Sequence, residues 1–183
     1  MPGHIISVIG GKGGVGKSQL AANLAFAYTL EKSMKSLLLD FDKKAAGDQN
    51  LITGIKSKKN LKDLSEYSGA LDPRTISLFI GRHKAQVSYI SMPTDGVHVD
   101  QIDSEGLGKS LKAIKNIFPI TVIDAGSELN ELSLKALEFS TLIFMVVTPD
   151  LLAINQTKRM YSELITSLFP KDMIQIVMNQ YQK

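Results

Sequence analysis

The run Gly11-Lys12-Gly13-Gly14-Val15-Gly16-Lys17-Ser18 packs four glycines, two lysines and a hydroxyl into eight residues. Those residue types at that spacing suit the binding of a polyphosphate. Triphosphate oxygens must be met by several backbone N–H groups at once, so the chain has to curl without side chains in the way. The pattern is G-x-x-x-x-G-K-[ST], a phosphate loop. Lys17 would neutralise the β and γ oxygens of ATP, and the Ser18 hydroxyl would ligate Mg²⁺. Gln19 is counted with the loop as nucleotide-binding. A second cation, Lys12, is electrostatically costly beside Lys17 and a helix terminus, and bound polyphosphate relieves that cost. Lys12 could also reach a nucleotide held by a second subunit.

Acidic residues end two apolar runs. Leu37-Leu38-Leu39-Asp40-Phe41-Asp42 closes with two acids one residue apart, and side chains two apart on a strand share a face. Both would face a site at the carboxyl end of the strand, where ligands bind in open α/β sheets. The competing reading is strand-end capping and turn chemistry. Ile120-Thr121-Val122-Ile123-Asp124 ends in one acid, Asp124, which would hold Mg²⁺ through a water. Ile176-Val177-Met178-Asn179 ends in an amide. Asn179 would read an adenine edge or simply occupy the turn after a strand.

These groups need a scaffold. Candidate strands are Ile5–Ile9, Ser36–Leu39, Val87–Ser91, Ile120–Ile123, Thr141–Val147 and Ile174–Met178, several of them near-continuous apolar runs, as in parallel strands covered on both faces. Helical stripes lie between them: Leu20, Leu24, Ala27 and Tyr28; Leu107, Leu111, Ile114 and Phe118; and Thr157, Met160, Tyr161, Leu164, Ile165 and Leu168, closed by Pro170. Strands alternating with helices predict an α/β three-layer domain, a mostly parallel sheet with helices on both faces. Residues 43–82 are the least regular and should hold short helices and loops. With no internal repeat or linker, 1–183 reads as a single domain.

Composition narrows the classes. Apolar residues make up 44% and charged residues 21%, as in a globular protein. Cysteine is absent, so no disulfide or thiolate metal site is possible, and a cytoplasmic setting is expected. The start lacks the layout of a signal peptide, and no apolar run approaches the roughly 20 residues of a membrane helix. The net charge is +3, but Lys43, Lys44, Lys56, Lys58, Lys59 and Lys62 cluster with only Asp48 among them. That run is a solvated face, or a contact for an acidic partner, nucleic acid or anionic lipid. Asp95, His98, Asp100 and Asp103 match no familiar metal-ligand spacing, and Asp103 and Ser104 are better read as helix caps. His4 and His83 are isolated.

Lys12-Gly13-Gly14-Val15-Gly16-Lys17-Ser18 resembles the deviant Walker A motif, K-G-G-x-G-K-[ST], of the ParA/MinD superfamily. In that family the early lysine contacts the partner's ATP in a nucleotide-sandwich dimer, a role that would fall on Lys12. Asp40-Phe41-Asp42 is similar to the family's D-x-D switch I, which implies that Asp42 positions or deprotonates the attacking water and Asp40 supports the Mg²⁺ shell. Asp124 takes the place of the Walker B acid. The family commonly continues with two glycines; here Gly126 keeps one and Glu128 replaces the other, which implies slow hydrolysis. Asn179 matches an Asn often found in related ATPases.

Ala46-Gly47-Asp48, Val147-Thr148-Pro149-Asp150 and Ile176–Tyr181 look most like the TadZ/CpaE-type proteins, MinD-like ATPases that mark the cell pole for pilus assembly. The resemblance implies an ATP- and Mg²⁺-dependent homodimeric switch. Its partners would be proteins of a localisation, pilus or secretion system at a pole or membrane site, with DNA permitted by the lysines. The alternatives are a non-hydrolysing nucleotide-dependent scaffold and a P-loop metabolic synthetase or kinase, for which no acceptor-binding constellation is visible. Relatives usually continue for another strand and helices, so Lys183 ends either a shortened domain or a naturally minimal one.

Overall fold

The computed structural model describes residues 2–181. Its elements, in chain order, are β1 (His4–Ile9), α1 (Lys17–Lys32), β2 (Ser36–Asp40), α2 (Asp48–Thr53), α3 (Leu61–Ser65), β3 (Gly81–Arg82), β4 (Ser88–Ile90), α4 (Gly96–Val99), α5 (Ser104–Ile117), β5 (Ile120–Asp124), α6 (Glu131–Glu138), β6 (Leu142–Val147), α7 (Leu151–Thr166) and β7 (Ile174–Met178). The strands form one sheet in the order β3-β4-β2-β5-β1-β6-β7. Every pairing is parallel except β3 with β4.

The apolar runs explain this architecture. Side chains alternate along each strand, so Val8, Leu38, Val122 and Val146 face one side of the sheet, while Ile9, Leu37, Leu39, Ile123 and Met145 face the other. On the first side α1 covers them. On the second lie α3, α5, α6 and α7, through Leu64, Leu111, Leu137 and Leu164. A strand buried on both faces favours apolar residues throughout, with only small hydroxyl residues such as Ser7 and Thr121 among them, which is why the runs are near-continuous rather than alternating.

All six expected strands are present to within a residue or so at either end. The two-residue β3 is an addition, too short to leave a period in the sequence. The irregular stretch holds α2, α3 and a 3-10 turn at Thr75–Leu78, as expected. Two helical stripes are corrected. In α1 the fully buried face is Ala21, Ala22 and Ala25, whereas Leu20, Leu24, Ala27 and Tyr28 are half-buried around it. Small residues let this helix lie close to the sheet, with the bulkier ones flanking the contact. In the last stripe Leu168 is 88% exposed. It sits beyond the end of α7 at φ 66, with its N–H on Ile165 O and the Phe169 N–H on Leu164 O. That is a Schellman termination, which turns Leu168 outward and folds Phe169 back onto the core.

Candidate functional site

Because β1, β2 and β5 are parallel neighbours, their carboxyl ends meet at one edge. Val8 pairs with Asp124, and Asp40 pairs with Asp124, so the phosphate loop, Asp40, Asp42 and Asp124 converge there. The loop runs from the end of β1 into α1. Gly16 has φ 94, a left-handed conformation that side chains resist, and a side-chain carbon there would collide with the Asn179 amide. Lys17 is buried, and its Nζ donates to the Lys12 carbonyl at 3.1 Å, spanning the loop. Burial lowers its pKa, and the nearby Asp124 and Asp42 carboxylates oppose that shift. Val15 is buried in the core, so only its backbone faces the loop. Gln19 lies exposed on α1, its amide 3.4 Å from Asn23.

The three acids differ in what they hold. Asp40 accepts from the Asp42 N–H (3.1 Å), the Gly47 N–H (3.3 Å) and the Tyr89 hydroxyl (3.5 Å), so it organises the loop between β2 and α2. Burial first, then the Asp124 charge, pushes its pKa up to about 8, against the two backbone N–H bonds. Asp42 accepts from the N–H groups of Lys44 and Ala45 through Oδ1. The turn chemistry weighed against a catalytic role is therefore present at both residues. Asp124 accepts from Gln49 Nε2 at 2.9 Å through Oδ2, while its buried Oδ1 has no hydrogen-bond partner. Burial raises its pKa, and Ser18 and Gln49 beside it pull the other way.

The loops after β2 and β5 touch. A methyl group on Gly126 (φ 74) would lie 2.8 Å from the Asp42 carboxyl carbon. Lys44 Nζ meets Glu128 Oε1 at 2.6 Å across the same gap. On the outer side of the phosphate loop, Lys12 Nζ meets Asp150 Oδ1 at 3.1 Å, with both side chains partly exposed. Asp150 also caps α7 through the Ala153 N–H and takes the Thr148 hydroxyl. These donors and Lys12 bring its pKa down to about 2. Just past this pair, Leu151, Leu152 and Ile154 are exposed on α7.

Asn179 stands at the loop's other flank. Its Nδ2 donates to Val15 O at 2.9 Å and its backbone N–H to Val147 O at 2.8 Å, so it braces the loop. Two site residues were not singled out in the sequence. Asp150 was readable as a cap ahead of an apolar helix, but its pairing with Lys12, 138 positions away, was not. Gln49 gave no signal at all.

A buried carboxylate oxygen without a donor, next to a loop hydroxyl, fits a hydrated divalent cation. Among the described residues no three His, Asp or Glu side chains form a ready metal cage. Mg²⁺ keeps several waters and leans on phosphate oxygens, so one carboxylate and one hydroxyl are enough protein ligands for it. In the Asp95 cluster the side chains serve local turns and caps. Asp95 caps α4 and meets His98 Nδ1 at 2.6 Å, and Asp103 caps α5. In the lysine cluster, Lys43, Lys44 and Lys62 pair with Asp100, Glu128 and Glu66, while Lys56, Lys58 and Lys59 make no ion pair among the described residues. No helix among those residues is long and apolar enough to cross a membrane.

The AAA_31 family, described as an AAA domain, matches residues 3–168. The chain is 25% identical over 183 residues to the septum site-determining protein MinD of Thermotoga maritima, covering 98% of this chain and 65% of that protein. It spans about half to two thirds of the curated relatives it matches. A ParA family ATPase from Chlorobium tepidum has the same fold, with TM-score 0.89 at 21% identity over 97% of this chain and 74% of that one. MinD of Pyrococcus horikoshii in complex with Mg-ADP aligns with TM-score 0.74 at 24% identity, over 94% of this chain and 67% of that one. With its phosphate loop, converging acids and parallel sheet, the chain belongs to the AAA_31 family, within the ParA/MinD superfamily.

Proposed function

We propose that this chain is an ATP-binding, slowly hydrolysing, Mg²⁺-dependent switch that forms a nucleotide-sandwich homodimer and positions partner proteins in the cell. Loop amides from Gly11, Gly13, Gly14 and Gly16 meet the phosphates, Lys17 neutralises them, and Ser18 and Asp124 would hold Mg²⁺, which supplies charge neutralisation at the β and γ oxygens. Asp40 keeps the switch loop in place around that shell. Asp42 has Oδ1 committed to backbone, leaving Oδ2 to orient a water. The water oxygen bonds to the γ-phosphorus as the bridging oxygen departs with ADP. Asn179, anchored through Nδ2, has Oδ1 left for an adenine amino group.

The observation that carries the dimer is the placement of Lys12. Its ammonium lies on the outer side of the loop, half-exposed, beside an exposed apolar strip of Leu151, Leu152 and Ile154. A cation serving only its own nucleotide would be better placed inside. Lys12→Ala should abolish ATP-dependent dimerisation in light scattering and lower turnover by about 10³-fold, the lower range for trans-acting cations, while sparing ADP binding. Unchanged turnover overturns this reading.

The finer assignment is a TadZ/CpaE-type pilus or secretion localiser, supported by the Ala46–Asp48, Val147–Asp150 and Ile176–Tyr181 segments. The Lys44–Glu128 tie between the two switch loops favours a second reading, a scaffold that dimerises with ATP and does not hydrolyse it. ATP-dependent dimers with no phosphate release over hours would select the scaffold.

A further inference from the structure

Gln49 lies in the short helix α2, is 1% exposed, and belongs to none of the motifs above. Its Nε2 donates to Ser18 O and to Asp124 Oδ2, each at 2.9 Å. Both neighbours are acceptors, so the amide orientation is fixed: a flipped amide would face two oxygens with a third. One side chain thus links the start of α1 to the end of β5. Two acceptors remain buried without donors, Gln49 Oε1 and Asp124 Oδ1. Asn50 Oδ1, Thr121 Oγ1 and Thr157 Oγ1 are also unpartnered, but none hydrogen-bonds Ser18 or Asp124.

We infer that Gln49 is a positioning residue for the divalent cation of this site. It holds Asp124 by Oδ2, turns Oδ1 toward the cation beside Ser18, and offers Oε1 to a water of the cation's shell. An apolar side chain of the same size would fill the space but take the donor from Asp124 Oδ2; the amide keeps that bond and still presents Oε1 to a group that donates to it. The carboxylate is locked from behind and the phosphate-loop helix is locked to it, so the cation meets a preformed half-shell. This deepens the proposed ATPase reading and rests on it.

The test is calorimetric titration of the full chain with ADP in EDTA and with graded Mg²⁺, comparing the parent with Gln49→Leu and Gln49→Met. Both variants keep the volume and lose the amide. ADP affinity in EDTA should stay within about twofold, while the Mg²⁺ concentration at half-effect rises about 10- to 100-fold, as for other outer-shell ligands. A merely structural role would instead lower the melting temperature and ADP affinity in EDTA and leave the Mg²⁺ midpoint alone, which overturns the inference. If Gln49→Leu does not fold, Gln49→Met decides alone, and the parent's Mn²⁺ affinity by electron paramagnetic resonance, compared with that of Asp124→Asn, gives an independent scale. A parent that takes up no ADP sinks the nucleotide reading itself. A parent that binds ADP with Mg²⁺-independent affinity overturns this inference and leaves nucleotide binding standing.

Discussion

The two flanks of the phosphate loop hold their charges in opposite ways. Inside, Asp40, Asp124 and Lys17 are buried, and burial pushes each toward its neutral form. Outside, Lys12 and Asp150 are partly exposed and Asp150 stays fully charged, its pKa about 2. Charges crowded in a low-dielectric interior cost free energy until an ion or phosphate compensates them. A half-exposed ion pair costs little to break and little to re-form elsewhere. The interior is therefore built to wait for a ligand, and the exterior to exchange one partner for another.

The largest effect that would sharpen this contrast is in pH. Asp40 has its folded pKa raised from 3.8 to about 8. Between those values the folded chain keeps a proton that the unfolded chain has lost, so stability falls as pH rises through that window and levels off above it. Urea unfolding in EDTA should show a loss on the order of a few kcal/mol between pH 5 and pH 8. Asp40→Asn should flatten the slope, and a parent whose stability rises over this window would break the comparison.

Next is Asp150→Ala on the exterior. It removes the α7 cap, so the melting temperature should fall. It also releases Lys12, so ATP-dependent dimerisation should tighten, by at most about fivefold for a pair this exposed. A dimer lost altogether would mean that Asp150 belongs to the interface itself. The smallest effect is Glu128→Gln, which breaks the Lys44 tie at the surface. Denaturation should shift by less than about 0.5 kcal/mol, and 0.5 M salt should erase the difference. A cost comparable to that of the interior changes would end the distinction between the flanks.

The sequence exposed the interior more fully than the exterior, for a physical reason. The phosphate loop and Asp124 sit at the ends of continuous apolar runs, and a strand buried on both faces cannot hide in a sequence. The other strands of the sheet interior were legible on the same ground, while the edge strand β7, half of it exposed, was legible as an apolar run. Gln49 was not, because its meaning lies in contacts 31 and 75 positions away, which no local period records. The α1 face was misjudged because periodicity rewards bulk, whereas close packing against the sheet called for the alanines. Asp150 entered only as the end of the Val147–Asp150 segment, because its lysine lies 138 positions away.

The approach of Gly126 to Asp42 has a mechanical consequence. The clearance is narrower than a methyl group, so any approach of one loop toward the other must displace it. Neither loop can close toward the other without displacing it, so the Gly126 and Asp42 sides of the cleft share one steric limit.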